Sequence, residues 1–141
     1  MGLILDSSIL IAAERGRFDL TALFQSRPDE AFFIAAITAS ELLHGVQRAD
    51  TPERREQRSR RVEAILHKLP VIDFDLTTAR RHAVLWADLQ TRRQLIGPHD
   101  MLIAATALER GHELATLNHD EFARVQGITV VDVRPFVIQK V

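Results

Sequence analysis

The order of apolar runs in this sequence predicts an α/β fold with a central, mainly parallel β-sheet. Short apolar runs typical of buried strands alternate with amphipathic stretches typical of helices. One stretch, His99–Glu109, is apolar on nearly every side, which indicates a helix buried at the centre. Such alternation places helices on both faces of a parallel sheet. With no repeat or linker in 141 residues, we predict a single domain over residues 1–141.

Five segments have the length and composition of strands. The first is a short apolar run, and the second is rich in aromatic and β-branched residues. The predicted strands are Gly2–Leu5, Ala31–Ala36, Pro70–Phe74, Glu113–Thr116 and Ile128–Val133.

The helices are predicted from apolar spacing and from residues that favour helix ends. The sequence Thr38-Ala39-Ser40-Glu41 matches a capping box, so a helix through Val46 is expected to begin there. Pro98 suits the first position of the central helix, and Gly111 suits its C-cap. Leu76–Arg93 is expected to turn Ala79, Ala83, Trp86 and Leu89 or Gln90 inward. The other predicted helices are Ile9–Arg15, Phe18–Gln25, Pro52–His67 and the short turn Asp120–Arg124.

The composition is that of an ordinary globular protein, with 46% hydrophobic and 26% charged residues. The net charge of −1 excludes an overall basic field, so any nucleic acid must be bound through local patches. The absence of cysteine excludes disulfides and thiolate metal sites and suits a reducing cytoplasm. No signal-peptide pattern or membrane-length apolar run is present, so we expect a soluble cytoplasmic protein.

Acidic residues follow several of the predicted strands. Asp6 comes directly after the first strand, Glu41 lies in the helix after the second, and Asp100 lies in the first turn of the central helix. Because ligands of α/β sheets bind at the carboxyl ends of the strands, these segments are expected to meet at one rim. A fourth segment adds Asn118, Asp120 and Glu121.

Each acid also has a purely structural interpretation. Asp6 can cap the first helix, and Glu41 can complete the capping box. Asp100 can be a first-turn acid that the helix dipole favours. Together, however, carboxylates at one edge repel one another, and a hard divalent cation such as Mg²⁺ or Mn²⁺ relieves that repulsion. The chemistry left open is phosphodiester hydrolysis, phosphate-ester hydrolysis or nucleotide binding.

Four segments resemble, in order, the motifs of PIN-domain nucleases. They are LDSSIL at Leu5–Leu10, TASELLHGV at Thr38–Val46, PHDMLIAATA at Pro98–Ala107 and TLNHDEF at Thr116–Phe122. The compact size is similar to that of the VapC toxins of bacterial toxin–antitoxin pairs. This resemblance implies a PIN-like α/β/α sandwich and a Mg²⁺-dependent endoribonuclease that cleaves tRNA or rRNA and inhibits translation. It also implies a VapB-type antitoxin and a homodimer.

The resemblance assigns roles by position. Asp6 and Asp100 would be the principal metal ligands, and Glu41 would complete the set and help to position the attacking water. Asn118 departs from relatives that have an acid there, which leaves a choice between one metal ion and two. The supporting residues would be Ser8, which braces Asp6, Thr116, which lines the site with Asn118, and Glu121, an outer acid.

Arginines and histidines near the motifs offer further candidates. The helix arginines Arg54, Arg55, Arg58, Arg60 and Arg61 alternate with glutamates, which favours a solvated, paired face. Arg15, Arg92 and Arg93 are better candidates for RNA contacts if they border the acidic rim. We expect His44 and His99 to be structural, since a hard-metal site does not need a histidine base.

Two other functions are compatible with the acids. A phosphatase of the haloacid-dehalogenase type also begins with a strand and an aspartate, but it needs a second aspartate at the position of Ser8. A PIN-like RNA-binding module with weak or no catalysis is the other alternative. Cleavage of RNA with Mg²⁺ and its loss in EDTA would separate these possibilities.

Overall fold

A computed structural model describes residues 2–139, so the predicted limits 1–141 include Met1, Lys140 and Val141 outside the described residues. Four parallel strands form one sheet in the order β3-β2-β1-β4. The crossover order places β1 in the interior, between β2 and β4. The strands are β1 (Gly2–Leu5), β2 (Ala31–Ala35), β3 (Val71–Ile72) and β4 (Glu113–Ala115).

Helices connect the strands and cover both faces of the sheet. Within residues 2–139 they are α1 (Ser7–Glu14), α2 (Leu20–Ser26), α3 (Ala36–Gln47), α4 (Pro52–Lys68), α5 (Leu76–Thr91), α6 (Pro98–Arg110) and α7 (His119–Phe122), followed by a 3₁₀ turn, Arg134–Phe136. The predicted α/β sandwich with a parallel sheet is therefore confirmed. No helix in the described part of the chain is long and apolar enough to cross a membrane.

The two hydrophobic cores follow the alternation of side chains along β1. Leu3 and Leu5 point into the core under α1, α2 and α4, whereas Ile4 points into the core under α5 and α6. All three side chains are fully buried, as expected for an interior strand of a parallel sheet. Helix α6 is buried along most of its length, as predicted, and ends at Gly111 with a φ of 66°.

The predicted start of the third helix is wrong. Helix α3 begins at Ala36, directly after β2, and its N-cap is Ala35 in an extended conformation. Thr38 therefore lies inside the helix, is fully buried and caps nothing. The helix begins where β2 ends, with no connecting loop, so the capping sequence inside the helix does not determine its start.

Two other predictions need correction. Ile128–Val133 forms no strand, since it pairs with β4 only through the isolated bridge between Val130 and Leu114. Helix α5 buries Thr78, Leu85 and Leu89, whereas Trp86 remains 49% exposed and Ala83 is exposed too. The inward face is thus rotated from the predicted one, and an N-cap bond from Thr78 to Asp75 fixes its first turn.

Candidate active site

The acidic site lies where β1 and β4 end, beside the first turn of α6. Asp6 follows β1 and is only 2% exposed, and its backbone N–H donates to the Ala115 carbonyl at 3.0 Å. Asp6 occupies the N-cap position of α1, but its side chain makes no capping bond. The capping interpretation of Asp6 is therefore wrong, and its carboxylate is directed elsewhere.

Two hydroxyl groups hold the Asp6 carboxylate. The hydroxyls of Ser8 and Thr116 both donate to Asp6 Oδ2 at 2.8 Å. These hydroxyls are fixed in turn, because Ser8 Oγ accepts from Leu117 N at 3.1 Å and Thr116 Oγ1 accepts from Asn118 N at 3.0 Å. The network ties the end of β4 to the start of α1 and leaves little freedom to the Asp6 side chain.

Asp100 and Glu121 form a second carboxyl pair next to Asp6. The backbone N–H of Gly97 donates to Glu121 Oε1 at 2.7 Å, and Glu121 is hydrogen-bonded to Asp100. Burial, a hydrogen bond in which the Asp100 carboxyl donates to Glu121, and the charges of Asp6, Glu121 and Glu41 raise the pKa of Asp100 from 3.8 to about 7. The raised pKa favours the neutral form of Asp100, which relieves the repulsion among the carboxylates.

Glu41 reaches the same place from the middle of α3. Its Oε1 atom is buried and has no hydrogen-bond partner among residues 2–139. Its Oε2 atom lies 3.5 Å from Nδ1 of His99, which is otherwise more than half exposed. A buried carboxylate oxygen without a hydrogen-bond donor costs folding free energy, so this atom favours binding of a positively charged group.

These side chains line one open depression of about 430 Å³. The structure therefore brings Asp6, Glu41, Asp100 and Asn118 together, as the sequence predicts. Ser8 and Thr116 lie behind Asp6, and Glu121 contacts Asp100 directly although we expected only an outer acid. The remaining residues of the lining are Ser7, Gly97, Pro98 and His99.

The donor set fits a hard divalent cation. Within residues 2–139, no group of three or more His, Asp or Glu side chains is arranged so that it could hold a metal ion. Nevertheless, Glu41 has an unpartnered buried oxygen, and burial together with neighbouring negative charge raises the pKa of Asp100 to about 7. Both features are relieved by a cation that prefers oxygen ligands, as Mg²⁺ and Mn²⁺ do.

Two features of the site are not evident in the sequence. The amide of Gly97 orients Glu121, and His99 faces Glu41. Gly97-Pro98 by itself indicates only a helix start. A backbone N–H group at a helix start makes no hydrogen bond within the helix, however, and such groups commonly donate to anions. The contact of His99 depends on the relative placement of α3 and α6, which no local pattern reveals.

Four of the eight candidate arginines are engaged in ion pairs within residues 2–139. On α4, the predicted pairing of arginines with glutamates is confirmed by Glu56 and Arg60, four residues apart, whose side chains meet at 2.6 Å. Arg92 binds Asp88 and the Arg124 carbonyl, so it braces the loop before α6. Two further arginines of α4 are also paired: Arg54 binds Asp50 at 2.8 Å, and Arg61 binds Glu14 at 2.9 Å.

Comparison with known proteins first defines the class. Residues 3–128 match the PIN domain. Ribonuclease VapC1 of Rickettsia felis is 38% identical over 133 residues, which cover 94% of this chain and 97% of that protein. The tRNA(fMet)-specific endonuclease VapC of Salmonella typhimurium is 34% identical over 99 residues, 70% of this chain and 73% of the relative. The chain therefore belongs to the VapC ribonucleases of the PIN-domain family.

The fold agrees with this assignment. The crystal structure of VapBC2 from Rickettsia felis, bound to a DNA fragment from their promoter, superposes with a TM-score of 0.84 at 26% identity. The match covers 93% of this chain and 98% of the other. The sheet and its helices are thus those of a VapC-type PIN domain.

Proposed function

We propose that this chain is a Mg²⁺-dependent endoribonuclease toxin that cleaves structured cellular RNA, a tRNA or an rRNA, and so inhibits translation. The observation that carries the proposal is the meeting of Asp6, Glu41 and Asp100 in one depression. The VapC relatives, one of them specific for tRNA(fMet), support RNA as the substrate. Mn²⁺ is expected to substitute for Mg²⁺, because it also prefers oxygen ligands.

The chain's own residues divide the work of hydrolysis among them. A bound hard cation polarises the phosphodiester and lowers the pKa of water. Asp6 offers Oδ1 as a ligand, since Oδ2 already accepts two hydroxyl bonds. Asp100 in its ionised form would be a second ligand, and the unpartnered oxygen of Glu41 would hold the cation or orient the attacking water.

Asn118 limits how much charge the site can neutralise. Its side chain lines the depression, but an amide supplies an oxygen ligand without a negative charge. It can orient a phosphate or a water molecule and cannot accept a proton as a carboxylate does. This composition favours one tightly bound cation over two.

A VapB-type antitoxin is the proposed protein partner. A crowded group of carboxylates binds an arginine well, because the charge-assisted bonds are bidentate. We therefore propose that a C-terminal antitoxin segment blocks the site near Asp6, Glu41 and Asp100. Its apolar residues would lie between α1 and α3, around Ile9–Ala13 and Leu42–Val46. The chain is also proposed to act as a homodimer in the cytoplasm and not to bind a membrane.

The activity is tested with purified protein and total RNA. We expect cleavage with Mg²⁺ or Mn²⁺, none in EDTA, and little with Ca²⁺, whose coordination is larger and looser. The matched control is Asp6→Asn, purified in parallel, which reports contaminating nuclease. Undiminished cleavage in EDTA would exclude the metal mechanism, and mapping of new 5′ ends after brief expression in cells distinguishes tRNA from rRNA.

The partner is tested by co-expression with the adjacent reading frame. A stable complex that loses RNA cleavage on titration supports an antitoxin, and light scattering of the free protein measures the dimer. A complex that stays fully active, or no complex at all, would leave a ribonuclease without a toxin role.

A further inference from the structure

A second cleft begins at Glu41 and runs away from the acidic site. It is an open cleft of about 560 Å³ between α1, α3 and α4. Its apolar lining is Ile11, Leu42 and Val62. Since Glu41 lines both this cleft and the acidic depression, the two form one continuous surface.

The rim of this cleft carries an excess of arginine. The basic residues of the lining are Arg15, Arg48, Arg54, Arg58 and His44, and the acidic ones are Glu14, Asp50 and Glu41. The charges of two acids are already balanced, because Asp50 pairs with Arg54 at 2.8 Å and Glu14 with Arg61 at 2.9 Å. Arg58 is held by a bond of 3.0 Å to the Gly45 carbonyl.

Arg15 and Arg48 remain without a carboxylate. Neither side chain makes an ion pair or a hydrogen bond within residues 2–139, and both are exposed. Each is the C-cap residue of its helix, Arg15 of α1 and Arg48 of α3. The negative ends of two helices thus favour cations here, which explains why arginine is stable at both positions. The helix ends do not determine what the two guanidinium groups bind.

We propose that Arg15 and Arg48 bind phosphates of the substrate RNA along this cleft, outside the acidic depression in which the bond is cleaved. This inference depends on the proposed function, in that RNA is the substrate. The chain has a net charge of −1, so RNA needs a local basic patch, and this one adjoins the acidic site. A planar guanidinium pairs with phosphate through two parallel bonds, whereas the carboxylates at the other end repel phosphate unless a cation is bound.

RNA binding is measured by fluorescence anisotropy with a labelled RNA stem–loop in the non-cleaving Asp6→Asn background. The test variant is Arg15→Ala with Arg48→Ala. The matched control is Arg60→Ala with Arg134→Ala, which removes two exposed arginines outside the cleft that are paired with Glu56 and Asp132. Thermal unfolding of each variant verifies the fold.

We expect the test variant to weaken binding on the order of tenfold, equally for unrelated sequences, with little change in the control. The slope of log Kd against log salt should fall by about 1.5, since each phosphate contact contributes roughly 0.7–0.9. Lysine at both positions should restore much of the binding. An unchanged affinity and salt slope in a folded test variant would overturn the proposal.

The outcomes separate this inference from the proposed function. If the wild-type protein cleaves RNA and the test variant binds RNA normally, only the cleft assignment fails. If no RNA is cleaved but binding still depends on both arginines, the nuclease proposal fails and the cleft assignment stands. Loss of antitoxin binding with normal RNA binding would assign the arginines to the protein partner and overturn the RNA role.

Discussion

At the scale of single residues, the hydroxyl of Thr116 has two tasks. It donates to Asp6 Oδ2 at 2.8 Å and accepts from the backbone N–H of Asn118 at 3.0 Å. It therefore orients Asp6, the proposed metal ligand, and fixes the segment that carries Asn118, a second residue of the site. Removal of a hydrogen-bond partner of a metal-binding carboxylate typically weakens metal affinity or activity by about 10–100-fold.

Thr116→Val should weaken Mg²⁺ binding and RNA cleavage by about 10–100-fold. Valine has nearly the same shape but leaves Asp6 with the Ser8 hydroxyl alone, so the carboxylate is free to rotate. The measurements are calorimetric Mg²⁺ titration and the initial rate of cleavage. The control is Thr21→Val on the exposed side of α2, which should change neither. Wild-type Mg²⁺ affinity in Thr116→Val would contradict the positioning role.

Asp6→Asn and Asp100→Asn should each abolish RNA cleavage while the fold is kept. Each change removes a charged oxygen ligand but hardly alters the side-chain volume. Cleavage of labelled RNA and a circular-dichroism spectrum are the measurements. Asp29→Asn, in an exposed turn, provides the control and should retain full activity. Activity in either site variant would show that the acids are assigned wrongly.

At the scale of elements, chain connections limit what the sequence can predict. The alternation of strands and helices is evident from apolar runs, and α6 is recognised from Pro98 and Gly111. The start of α3 is not, because Thr38 and Glu41 imitate a capping box inside a helix that continues directly from β2. Ile128–Val133 has strand composition, but only Val130 pairs with β4. Local pattern thus predicts which elements exist better than where they end.

Two glycines near helix ends make a matched pair. Gly111 adopts a φ of 66° at the C-cap of α6, whereas Gly45 is helical within α3 and has open space where the Cβ of an alanine would lie. Gly111→Ala should lower the free energy of unfolding by about 1 kcal/mol, because alanine is strained in that conformation. Gly45→Ala should raise it by about 0.5–1 kcal/mol. Urea unfolding measures both, and equal effects would contradict this reasoning.

At the scale of the whole molecule, the site depends on the parallel sheet. Asp6, Asp100 and Glu121 come from distant segments, and they meet because β1 and β4 are adjacent and end at the same edge. The positions of the acids after predicted strands and at helix starts, together with the motifs, predict this meeting from the sequence. They do not predict that Glu121 touches Asp100 or that Gly97 orients it, since those contacts depend on how α6 and α7 pack.

The carboxyl cluster also links stability to pH and to metal. The pKa of Asp100 is raised from 3.8 to about 7 by burial, by its bond with Glu121 and by the neighbouring charges. A carboxyl whose pKa is higher in the folded state binds more protons there, so the free energy of unfolding falls as pH rises through this interval. Below the unfolded-state pKa this loss vanishes. A bound cation favours the ionised form and should reverse the loss.

We therefore expect Asp100→Asn, in EDTA, to be more stable than the wild type at pH 8 by about 2 kcal/mol and nearly equal to it at pH 4. The expected gain is smaller than the full pKa shift implies, because water and side-chain rearrangement screen part of it. Urea unfolding at both pH values gives the free energies. Mg²⁺ at pH 8 should raise the stability of the wild type but not of Asp100→Asn, since only the wild type retains this ligand. A variant that is no more stable than the wild type at pH 8 would mean that the carboxylates do not oppose one another as their positions imply.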